Sequence, residues 1–80
     1  MNIILSKTSR KYLDKLDSAN KERIISALER LPDHGDIEKF KGQKLRNLFR
    51  LRVGKFRVVY VLEEDIIRIT NIDTRGDVYK

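Results

Sequence analysis

Arg50, Arg52 and Arg57 stand within eight residues of one another, and Arg75 and Tyr79 follow near the end of an 80-residue chain. A guanidinium is a planar fork of donors that matches phosphate oxygens and stays charged at any cellular pH. Several such forks converging with a phenol suit one task above others: holding a phosphodiester and stabilising charge that grows on its oxygens. The chain has one histidine and no cysteine, so thiolate chemistry is excluded and no metal or other cofactor is implied. His34 lies in a turn beside acids and reads as a surface residue. Asp73 and Asp77 flank Arg75 and read as ion-pair partners or caps.

The charge supports a polyanion as partner. Residues 1–38 carry as many acids as bases, so the whole net charge of +6 lies beyond them. From Lys39 to Arg57 there are eight basic residues, among them Lys41, Lys44, Arg46 and Lys55, and no acid. Concentrated positive charge favours polyanions through counterion release and steering. The competing reading is a solvated face that only keeps a small protein soluble.

The elements decide between these readings. Eighty residues make a single domain, 1–80, with a modest core. No stretch approaches the roughly 20 apolar residues of a membrane span, and the N-terminus lacks the features of a secretory signal. The expected location is the cytoplasm. Asn2 to Leu5 reads as a short strand. Tyr12, Leu13 and Leu16 recur at helical spacing in Thr8 to Leu16. Asp17 or Ser18 can cap a second helix with the stripe Ile24, Ile25, Ala27, Leu28 and Leu31, which Pro32 ends. Asp33 to Asp36 is turn chemistry. Asn47–Val53, Phe56–Leu62 and Ile66–Ile72 are strands rich in β-branched and aromatic residues. The expected fold is α+β: a first strand, an αα-hairpin and a three-stranded antiparallel meander. This makes a four-stranded sheet covered on one face by two helices.

Side chains alternate along a strand, so Arg50 and Arg52 share the face opposite Phe49, Leu51 and Val53. A two-residue turn at Gly54-Lys55 pairs Arg52 with Arg57 and Arg50 with Val59. Like charges directly opposed destabilise by up to about 1 kcal/mol. Such a cost, left uncompensated, marks a functional site. In the next hairpin either loop register places Asn71 or Ile72 beside Arg57. Arg75 then returns to the same end, and Tyr79 can fold across it. Arg68 falls at the far end and reads as structural.

The run FRLRVGKFRVVY from Phe49 to Tyr60, followed by DTRGDVYK from Asp73 to Lys80, closely resembles the RelE branch of the RelE/ParE toxin superfamily. The resemblance covers nearly the whole chain, including Gly35-Asp36 and Lys41-Gly42. It implies the toxin of a type II toxin–antitoxin pair, an endoribonuclease that enters the A site of the small ribosomal subunit. There the mRNA's own 2′-hydroxyl attacks the adjacent phosphate without a metal. It further implies a cognate antitoxin and a toxin–antitoxin hetero-oligomer. By position, Arg50 and Arg52 match the family's basic pair and Arg57 its phosphate-stabilising arginine. Arg75 and Tyr79 match the C-terminal arginine and the base-orienting tyrosine. Lys41, Lys44, Arg46 and Lys55 are then expected to bind RNA.

Two features depart from the family. Relatives often carry lysine in the basic pair and histidine before the C-terminal arginine, where this chain has Thr74. Guanidinium cannot serve as a base at cellular pH. The proton acceptor is therefore open between Tyr79 and catalysis by positioning and charge alone. Two other readings stand beside this one: a ParE-like toxin acting on DNA gyrase, and a non-catalytic RNA- or ribosome-binding relative. Stacking aromatics among the basic residues would favour the last; Phe49 and Phe56 fall on the opposite parity.

Overall fold

The computed structural model describes residues 2–41 and 47–74. Its elements are β1 (Asn2–Leu5), α1 (Lys7–Asp14), α2 (Ser18–Glu29), β2 (Asp36–Lys39), β3 (Leu48–Val53), β4 (Phe56–Leu62) and β5 (Ile66–Thr74). Ser6 caps α1, its hydroxyl accepting from the Ser9 amide at 3.1 Å. Of the two candidates for the second cap, Asp17 takes the position, accepting from Asn20. Both caps satisfy amides that the first helical turn leaves without partners.

Among the described residues five strands form the sheet, in the order β1-β5-β4-β3-β2, which corrects the expected four. The meander β3-β4-β5 is antiparallel and central, and β1 lies parallel to β5 at one edge. The added strand is β2, which pairs antiparallel with β3 at the other edge. It begins inside what the sequence suggested was turn. Of its four residues only Ile37 is apolar, so no alternation announces it. It forms because its backbone completes the β3 ladder while Ile37 packs against the core.

The helices cover one sheet face, α1 against β5 and α2 against β3. Between the layers lie Leu13, Ile24, Leu28, Leu51, Phe56, Val58, Tyr60, Ile67, Ile69 and Ile72, all nearly inaccessible. Tyr12 meets Phe56 edge to face at 6.5 Å between ring centres, and Phe49 stacks on Tyr60 at 5.4 Å. As expected of a central strand, β4 carries apolar side chains on both faces, with Val59 and Val61 half-buried on the uncovered side.

Gly35 precedes β2 at φ +135°, a region that side chains other than glycine's rarely enter. A Cβ there would lie 2.7 Å from Cδ1 of Leu51, itself fully buried. Gly35→Ala is therefore expected to destabilise the domain by about 1–3 kcal/mol, through backbone strain and a displaced core leucine. A fall in the urea midpoint at constant m-value measures it.

Candidate functional site

Among the described residues no element covers the second sheet face, and this uncovered face carries the arginines. Gly54, at φ +59°, is the first of two turn residues joining β3 to β4, as a type II′ turn requires. This two-residue loop sets the expected register: Val53 opposite Phe56, Arg52 opposite Arg57, Leu51 opposite Val58 and Arg50 opposite Val59. Arg50, Arg52 and Arg57 thus share one face, opposite the core side chains of the same strands.

The β4–β5 register departs from the expected one. A β-bulge shifts the ladder between Val59 and Tyr60, so that Arg57 pairs with Asp73 instead of Asn71 or Ile72. Burial explains the shift. Ile67, Ile69 and Ile72 all point into the core, and residues 69 and 72 can share a face only if one extra residue intervenes. Thr70 stays exposed, its hydroxyl donating to the Val59 carbonyl at 3.2 Å.

The bulge has an electrostatic consequence. Across β2, β3, β4 and β5 one row reads Asp36, Arg52, Arg57, Asp73. Arg57 donates to Asp73 through Nε at 3.2 Å and Nη2 at 3.0 Å, and Arg52 Nε lies 3.7 Å from Asp36. In the next row Arg50 pairs with Glu38 and lies over the Phe40 ring, 5.7 Å from its centre. The opposed arginines are therefore compensated by an acid on each flank. Their proximity alone does not betray a function, contrary to the expectation from β3 and β4 considered by themselves. Asp73 is an ion-pair partner, as its sequence position suggested.

Three guanidiniums in adjacent positions, each roughly a third to a half exposed, form a site that can exchange carboxylate for phosphate. Lys55 is exposed at the hairpin tip, and Lys41 borders Phe40 at the end of β2. Arg68 lies at the other end, paired with Glu63 at 3.1 Å, in keeping with a structural role. Lys44, Arg46, Arg75 and Tyr79 fall outside the described residues. The acids Asp36 and Glu38 and the ring of Phe40 were missed in the sequence. The signal was available in Asp36-Ile37-Glu38-Lys39-Phe40, where every second residue faces the arginine side once the segment is taken as a strand.

The Arg50 hydrogen bond and charge hold the Glu38 carboxyl below the ordinary value of 4.5. A depressed pKa means that the pair contributes fully above the ordinary value and is lost as pH falls through the lowered one. Polyanion binding has the opposite sign, because protonating Glu38 releases Arg50. Neutralising Asp36→Asn together with Glu38→Gln is expected to tighten binding of an oligonucleotide probe near pH 7. It should also steepen the log-affinity against log-salt slope by about 0.7 per arginine released. Fluorescence anisotropy over a salt series reads both. As pH falls through the lowered Glu38 value, the parent's binding should move toward the variant's.

The described structure is a small α+β domain with one covered and one open, cation-bearing sheet face. The chain belongs to the ParE toxin family of type II toxin–antitoxin systems, whose model matches residues 3–79. Similar solved structures include the RelE toxins in antitoxin–toxin complexes from Methanococcus jannaschii and Pyrococcus horikoshii. Each is 27% identical, with TM-scores of 0.74 and 0.75. The alignments cover 95% and 94% of this chain, and 94% of each relative. The isolated Escherichia coli RelE toxin shares the fold at 17% identity, with a TM-score of 0.75 and coverage of 98% of this chain and 89% of that one. No curated protein matches significantly. Among the described residues no helix is long and apolar enough to cross a membrane.

Proposed function

We propose that this toxin is a ribosome-dependent endoribonuclease that cleaves mRNA in the A site and so arrests translation. The observation that carries the reading is the in-register trio Arg50, Arg52 and Arg57 on the uncovered sheet face. In the proposed reaction the mRNA's 2′-hydroxyl loses its proton and its oxygen attacks the adjacent phosphorus. The bond to the 5′-oxygen of the next nucleotide breaks and that oxygen takes a proton from water, leaving a 2′,3′-cyclic phosphate and a 5′-hydroxyl. The nucleophile belongs to the RNA, so the chemistry calls on no bound metal. Arg57 takes the negative charge that grows on the non-bridging oxygens, with Arg75 as its partner. Arg50 and Arg52 position the backbone, and Lys41, Lys44, Arg46 and Lys55 extend the basic track. Tyr79 orients the base and is the candidate to accept the proton.

Exposed ion pairs such as the trio's contribute little, so a phosphate held in place can displace the carboxylates. That suits an enzyme whose substrate is presented, already aligned, by the ribosome. A cognate antitoxin is the natural partner outside the ribosome, since the archaeal RelE relatives were solved bound to RelB. A second reading, inhibition of DNA gyrase, is favoured by one observation: the matching family model bears the ParE name. A third reading, an RNA-binding relative without catalysis, is favoured by the Phe40 ring, an aromatic beside Arg50 and Lys41 on the same face.

Toeprinting on programmed ribosomes, with Arg57→Ala and Arg75→Ala beside the parent, separates the three. Cleavage in the A site that both variants lose supports the nuclease. Intact mRNA with blocked gyrase supercoiling supports the second reading. Ribosome binding without either activity supports the third.

A further inference from the structure

Phe40 is the aromatic ring that the described uncovered face presents beside its cations. Its amide donates to the Leu48 carbonyl at 3.0 Å, which extends the β2–β3 ladder by one step and sets the ring on the same face as Arg50. The other described phenylalanines, Phe49 and Phe56, have the opposite parity and pack with the core. Phe40 itself is half-buried. It borders an open depression of about 280 Å³ whose other walls are Glu38, Lys39, Lys41 and Arg50. A core ring needs no such neighbours, and a ring that served only to rest Arg50 needs no cavity beside it.

An aromatic face flanked by cations and open to solvent is the arrangement that binds unpaired bases. The ring stacks on the base while the cations hold the phosphates on either side. We infer that Phe40, with Arg50 and Lys41, forms a stacking subsite for an unpaired nucleobase of the RNA substrate. The inference rests on the nuclease reading and adds to it a residue that recognises substrate. With a strand rise of about 3.4 Å per residue, Phe40 lies roughly 14 Å along β2 from the row that holds Arg52 and Arg57. The stacked base therefore flanks the cleaved phosphate at a distance, and does not adjoin it.

The test is single-turnover cleavage on programmed ribosomes, using mRNAs in which each nucleotide flanking the cleaved phosphate is made abasic in turn. At one position the parent should slow by about 5- to 150-fold, the range that stacking on one aromatic side chain supplies. Phe40→Leu, which keeps apolar bulk without a ring, should slow by the same factor on intact mRNA and no further on that abasic message. Phe40→Trp should restore the parent rate. Equal cleavage of intact mRNA by Phe40→Leu and parent overturns the subsite while the nuclease reading stands. Losses that multiply at every abasic position overturn it as well. A Phe40→Leu loss that Phe40→Trp does not restore assigns the ring to packing and also overturns it. A parent that leaves every message intact removes the nuclease reading, and the subsite falls with it.

Discussion

Replacing Arg57 by alanine is expected to slow A-site cleavage by about 10²- to 10³-fold, the usual cost of removing one preorganised donor from a developing oxyanion. The same change should leave the fold nearly untouched. Arg57 and Asp73 are each about a third exposed, at 36% and 35%, and ion pairs so placed contribute at most about 1 kcal/mol. Asp73 keeps a donor after the substitution, because Asn71 Nδ2 lies 3.3 Å from its Oδ2. Arg57→Lys restores the charge without the planar fork, and its rate should fall between parent and alanine variant. The measurement is single-turnover cleavage on programmed ribosomes, with a urea titration of each variant alongside. A parent-like rate for Arg57→Ala would move the chemistry away from this face. A collapsed urea midpoint would show that the pair serves the fold instead.

The sequence disclosed most where geometry leaves little choice. Gly54 permits a two-residue turn, that turn admits one register, and alternation then places Arg50, Arg52 and Arg57 together. The β4–β5 register was not legible by loop counting, because a bulge adds a residue that no loop length reveals. Its trace was the spacing Ile67, Ile69, Ile72, which fits one buried face only with an irregularity near Thr70. β2 escaped because local pattern cannot identify a strand with one apolar residue. Its pairing energy comes from β3, a non-local partner. That miss concealed half of the electrostatics. Without β2 the arginines looked uncompensated; with it, Asp36 and Glu38 become groups that a phosphate must displace. Arg75 and Tyr79, placed beside the trio by counting along the hairpin and given their roles by resemblance, remain part of the proposed mechanism and lie outside the described residues.

Phe56→Ala, one residue before Arg57, should have the opposite profile, and the contrast follows from alternation alone. Phe56 is 1% exposed, sits opposite Val53 in the ladder and meets Tyr12 edge to face. Truncating a buried phenylalanine costs about 3–5 kcal/mol, because the lost burial is joined by a cavity that the neighbours only partly fill. Typical domains hold roughly 0.05–0.15 kcal/mol per residue, so a chain this short has about 4–12 kcal/mol in all. The expected result is a urea midpoint lowered by a quarter or more, with the m-value unchanged. Near the lower end of that stability range the variant is substantially unfolded at growth temperature. Toxicity in cells should then disappear for a different reason in each neighbour. Cooling should return folded protein and activity to Phe56→Ala, whereas Arg57→Ala should stay folded and inactive at every temperature. If Phe56→Ala instead kept the parent midpoint, the ring would not lie between sheet and helices. The register that puts Arg57 on the open face would then be wrong as well, since the two side chains are assigned to opposite faces by the same alternation.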